Sequence, residues 1–101
     1  MGIRISHETP EVSRSALTIA NLGQHLADAL PARDWRKIRH LFDGTFADIA
    51  HIPHRQAGEI GEVLHRAADS PRMDDDWGSL ARTIGDAAQA AASARQTWVW
   101  S

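Results

Sequence analysis

Cysteine is missing from this chain of 101 residues. No disulfide can staple it, no thiol can serve as a nucleophile, and no thiolate can ligate a metal. An excess of positive charge is missing as well. Eleven Lys and Arg stand against thirteen Asp and Glu, a formal net charge of −2, so nothing global draws the chain onto nucleic acid or anionic lipid. No apolar run approaches the ~18 residues of a membrane span. The opening MGIRISHETP carries no apolar stretch of a secretory signal. A cytoplasmic location with no membrane partner is the expectation that follows. Catalytic signatures are absent: there is no glycine-rich loop after a strand, no nucleophile elbow and no HExxH. Repeats, low-complexity tracts and linkers are absent too, and one domain over residues 1–101 is expected.

What is present is apolar and helical. Twenty-six large apolar residues and seventeen alanines supply one core. Thr9, Pro10 and Glu11 read as a helix start, with a cap, a first-turn proline and a carboxylate for the dipole. Val12, Ala16, Ile19, Gly23, Leu26 and Leu30 then fall within about 80° on a helical wheel. The spacing predicts a helix over residues 10–30, with Gly23 at a close helix crossing. Pro31 breaks it. A second helix is predicted over about 32–43, with Trp35, Ile38 and Phe42 inward, Leu41 at the edge and Gly44 as its stop. The segment GTFADIAHI reads equally as a capped helical turn or an apolar loop. Pro53 opens a third helix, about 53–69, whose inward stripe is Ala57, Ile60, Gly61, Leu64 and Ala68. A fourth runs from MDDDW to about Ala94 behind Trp77, Leu80, Ala81, Ile84, Ala88, Ala91 and Ala92.

The termini follow another period. GIRIS and TWVWS alternate, with Ile3 and Ile5 on one side of the first and Trp98 and Trp100 on one side of the second. A lone strand cannot satisfy its backbone, so the two are expected to pair. The fold class expected is mainly α: an antiparallel four-helix bundle with a small two-stranded β-ribbon formed by the N- and C-terminal segments. Trp98, Trp100, Ile3 and Ile5 form its apolar face, and they are the candidate interaction surface. A ribbon of two strands leaves an edge free, which a homodimer would cover.

Few polar residues cluster in a way that points to chemistry. Asp48, His51 and His54 are spaced three apart, and imidazole with carboxylate is a transition-metal donor set. Pro53 interrupts any continuous helix there, and solvated loop histidines are the competing reading. Asp74, Asp75 and Asp76 lack the alternation, the glycine and the terminal glutamate of a calcium loop, and read as the cap of the fourth helix. Arg33, Arg36, Lys37 and His40 share one face of the second helix, with Arg39 close by. Such a face can neutralise phosphates or meet an acidic protein. The preceding helix is too long, and the LPA corner too tight, for a helix-turn-helix.

Ile5-Ser6-His7, Leu30-Pro31-Ala32-Arg33-Asp34-Trp35, Asp76-Trp77 and Trp98-Val99-Trp100, taken together, resemble a family of small uncharacterised helical proteins from GC-rich bacteria, a domain of unknown function. The resemblance implies that both ends of the chain belong to one folded unit, and it implies no activity, ligand or catalytic residue.

The function expected is a non-enzymatic protein-interaction or regulatory module, with an unknown protein partner or a second copy and with no cofactor. The alternatives are a nucleic-acid accessory protein using the basic face of the second helix, and a small metal- or ligand-binding protein. Nucleic-acid binding is expected to be absent or weak at physiological salt.

Overall fold

The computed structural model describes residues 2–6, 12–42 and 50–100. In chain order the elements are β1 (Gly2–Ser6), β2 (Val12–Ser15), α1 (Ala16–Ala29), α2 (Ala32–Phe42), β3 (Ala50–Ile52), α3 (His54–Ala68), α4 (Asp75–Ala94) and β4 (Trp98–Trp100). The four helices are those the periodicity predicts, and the two chain ends pair as expected. β1 and β4 run antiparallel, with Ile5 opposite Trp100 and Ser6 opposite Val99. Ile3, Ile5, Trp98 and Trp100 are all buried, both tryptophans at 0% exposure. The two indoles meet edge to face at 5.5 Å, and Phe42 meets Trp100 the same way at 5.2 Å. The tryptophans at the end of the chain thus bind the sheet to the end of α2.

The sheet is wider than the expected ribbon. Its order is β2-β1-β4-β3, with every pairing antiparallel. Val12 pairs opposite Ile5, so residues 12–15 are strand rather than the first turns of a helix. The helical stripe through Val12 was a coincidence of spacing. Pairing with β1 satisfies backbone groups that the strand would otherwise leave open on that side. Helix α1 therefore starts at Ala16. Ser15 is its cap, with the Thr18 backbone N–H donating to Ser15 Oγ at 3.1 Å. The predicted cap at Thr9 and Pro10, and the stop at Gly44, lie outside the described residues. Within GTFADIAHI, residues 50–52 form β3 against β4, with Ile52 opposite Trp98 and Ala50 opposite Trp100. Residues 45–49 lie outside the described set.

The helices pack closely because small residues stand where they cross. A Cβ on Gly23 would lie 2.1 Å from the Phe42 carbonyl oxygen, so only glycine permits the α1–α2 approach. Helices α3 and α4 form the tightest pair. Ala57, Ala67, Ala81, Ala88 and Ala91 are fully buried. Gln89 Nε2 donates to the Gly58 carbonyl at 3.0 Å across the pair. The acidic start of α4 is a cap, as its sequence predicts: Asp74 Oδ2 accepts from the Asp76 backbone N–H at 3.1 Å. At the other end Arg95 is left-handed (φ 56°, ψ 39°), and the Gln96 N–H donates to the Ala91 carbonyl at 3.0 Å. That turn ends the helix and aims the chain into β4. No helix among the described residues is long and apolar enough to cross a membrane.

Candidate functional site

Helix α2 lies on the core through one side only. Ile38, Leu41 and Phe42 are buried and Trp35 is half-buried against them. Leu41, expected at the edge, is fully inside. Arg33, Arg36, Lys37, Arg39 and His40 all lie on the exposed side. None of these four permanent cations has an ion-pair partner among the described residues. The basic face predicted from the spacing is therefore exposed as a unit. From Arg33 to His40 it runs about 10 Å along the helix axis at 1.5 Å per residue.

One polar residue of α2 faces the other way, and the sequence reading passed over it. Asp34 is 6% exposed, the one buried charged residue among those described. Arg66 of α3 reaches it, with a guanidinium nitrogen 3.3 Å from Oδ1. Burying a carboxylate requires such a partner. The signal was available: Asp34 shares the i, i+4, i+7 row with Ile38 and Leu41. Next to this pair a groove of about 510 Å³ opens where α1, the Pro31 corner, α2 and α3 meet. Leu30 and Pro31 form its apolar wall, and Arg33, Lys37, Asp34 and Arg66 its polar one.

The other predicted residues fare differently. Trp98, Trp100, Ile3 and Ile5 are core, so they offer no surface to a partner. The edge argument for a homodimer changes with them. β1 and β4 are the inner strands, already flanked by β2 and β3, and the outer edges of the sheet belong to those two. His51 lies exposed on β3 and His54 is the first residue of α3, half-buried, with Pro53 between them. Asp48 lies outside the described residues. No group of three or more metal-ligating side chains occurs among the described residues.

Two histidine contacts join helices. His65 Nε2 and Asp86 Oδ1 are 2.8 Å apart, between α3 and α4. A Cβ on Gly85 would lie 2.7 Å from the His65 ring, which shows how closely the imidazole lies on α4. The pair clamps α3 to α4. His25 stacks on Trp77 at 4.9 Å, between α1 and α4. Partners 21 and 52 positions apart in sequence make such meetings invisible to local patterns. At the α3–α4 corner the Asp69 carboxylate, 2.6 Å from Arg82, raises the guanidinium's pKa above its ordinary value, by hydrogen bond first and by charge second.

The family model described as Domain of unknown function (DUF7739) matches residues 6–101. No curated protein and no solved structure matches the chain.

Proposed function

The chain belongs to that family, whose description assigns no activity, and we propose from the geometry that the protein is a non-enzymatic interaction module that docks an acidic protein partner on the outer face of α2. The observation that carries this is charge segregation. Helix α2 holds four of the eleven Lys and Arg against one carboxylate, and that carboxylate is buried; the rest of the chain holds seven against twelve. A basic strip on an acidic body attracts a local acidic patch. Its own body repels a long polyanion such as duplex DNA, which presents charge well beyond the strip. Apolar docking has less support, because Leu17 is the one large apolar residue that is exposed among those described. A contact resting on a single short helix face belongs with weak, salt-sensitive complexes.

The test is photocrosslinking in the cells that make the protein, from a benzoylphenylalanine at position 40 and, as control, at exposed position 24. A discrete protein adduct from position 40 alone, lost in the Arg36→Glu/Arg39→Glu variant, supports the reading. The same adducts from both positions, or none, contradict it. Nucleic acid as the adduct replaces it with the nucleic-acid reading.

A further inference from the structure

The groove beside Asp34 differs from the outer face of α2 in ways that matter chemically. It is concave, it draws residues from three helices, and Arg36 and Arg39 do not line it. Its volume, about 510 Å³, is within the range of small-molecule sites. Three cations, Arg33, Lys37 and Arg66, surround one carboxylate, so the lining carries two positive charges in excess. Arg33 and Lys37 have no ion-pair partner among the described residues, and Arg66 spends one contact on Asp34 out of five available N–H donors. The backbone N–H groups of Ala32 and Arg33, at the first turn of α2, also have no acceptor among the described residues. A buried acid at the floor of a cationic groove is a selective element: it repels a bare anion and accepts a hydrogen bond from a ligand that carries a donor next to its charge.

We infer that this groove binds a small organic dianion, a phosphomonoester or a dicarboxylate, bearing a hydroxyl or amino group. Arg33, Lys37 and Arg66 hold the two negative charges, Asp34 accepts from the donor, and Leu30 with Pro31 covers the carbon skeleton. The groove shares Arg33 and Lys37 with the docking face, but Arg36 and Arg39 belong to that face alone and Asp34 and Arg66 to the groove, so Arg36→Glu/Arg39→Glu breaks docking while leaving the groove's lining intact.

The test is a ¹H–¹⁵N NMR titration of the full chain at constant ionic strength with glycerol 3-phosphate, methyl phosphate and L-malate. Saturable shifts confined to residues 29–37 and the neighbourhood of Arg66 are expected from glycerol 3-phosphate, from L-malate or from both; which of them saturates identifies the dianion. Lys37→Gln, an exposed change that leaves the Asp34–Arg66 pair intact, weakens binding about tenfold, the effect of losing a charge-assisted contact. Arg36→Gln leaves it within about twofold, as expected of a rim charge outside the groove. Asp34→Asn removes the preference for glycerol 3-phosphate over methyl phosphate. Shifts that grow linearly without saturating overturn the inference. So does a loss that is equal in Lys37→Gln and Arg36→Gln.

Discussion

Arg95 holds a conformation that an L-residue with a side chain avoids. At φ 56° it closes α4 in place of the glycine usual at this position. A left-handed residue with a Cβ costs about 1–2 kcal/mol relative to ordinary backbone. Its side chain is exposed and carries no ion pair among the described residues. Arg95→Gly is therefore expected to raise stability by about 1 kcal/mol, measured by urea denaturation; a lower midpoint would show that Arg95 makes a compensating contact. Asp34 is the opposite case, a residue whose place costs stability unless Arg66 stays with it. Its burial could be read from its row on α2, but its partner could not, because the 31 residues between them say nothing about which helices touch.

Among the elements, β4 has the most effect per residue. Three residues pair with two strands, and they deliver two fully buried indoles to the core. Truncating a buried tryptophan to alanine costs about 3–5 kcal/mol, and the two here touch, so the losses do not simply add. Ending the chain at Ala94 also opens an edge on β1 and one on β3. The truncated protein is expected to lose several kcal/mol, a large part of the ~5–15 kcal/mol typical of a domain, and to melt far lower or without cooperativity by calorimetry. An unchanged melting temperature would show that the sheet is dispensable. The pairing of the two ends was legible because both segments are short, β-prone and period-two. The outer strands were not. Val12 fits a helical wheel as well as a ladder, and Ala50-His51-Ile52 is too short to show a period. Each is a strand because an inner strand beside it needs a partner, and that is a tertiary cause.

At the scale of the whole molecule the helices, the inward stripes and the basic face of α2 could all be read from spacing, because each lies within one element. The groove could not, since it needs α3 to bring Arg66 to the α1–α2 corner. Neither could the loss of the proposed hydrophobic surface. Ile3, Ile5, Trp98 and Trp100 read as a face in need of cover, and the protein's own helices cover it. What remains exposed is the separation of charge, a basic helix on an acidic body.

The docking claim is tested most directly by fluorescence anisotropy with a labelled peptide rich in Asp and Glu and, in parallel, a short DNA duplex of equal total charge, over a salt series. The expected result is saturable peptide binding that falls as salt rises, is lost in Arg36→Glu/Arg39→Glu at unchanged melting temperature, and is tighter than duplex binding at every salt concentration. Peptide binding indifferent to the charge reversal, or duplex binding tighter than peptide binding, would contradict it.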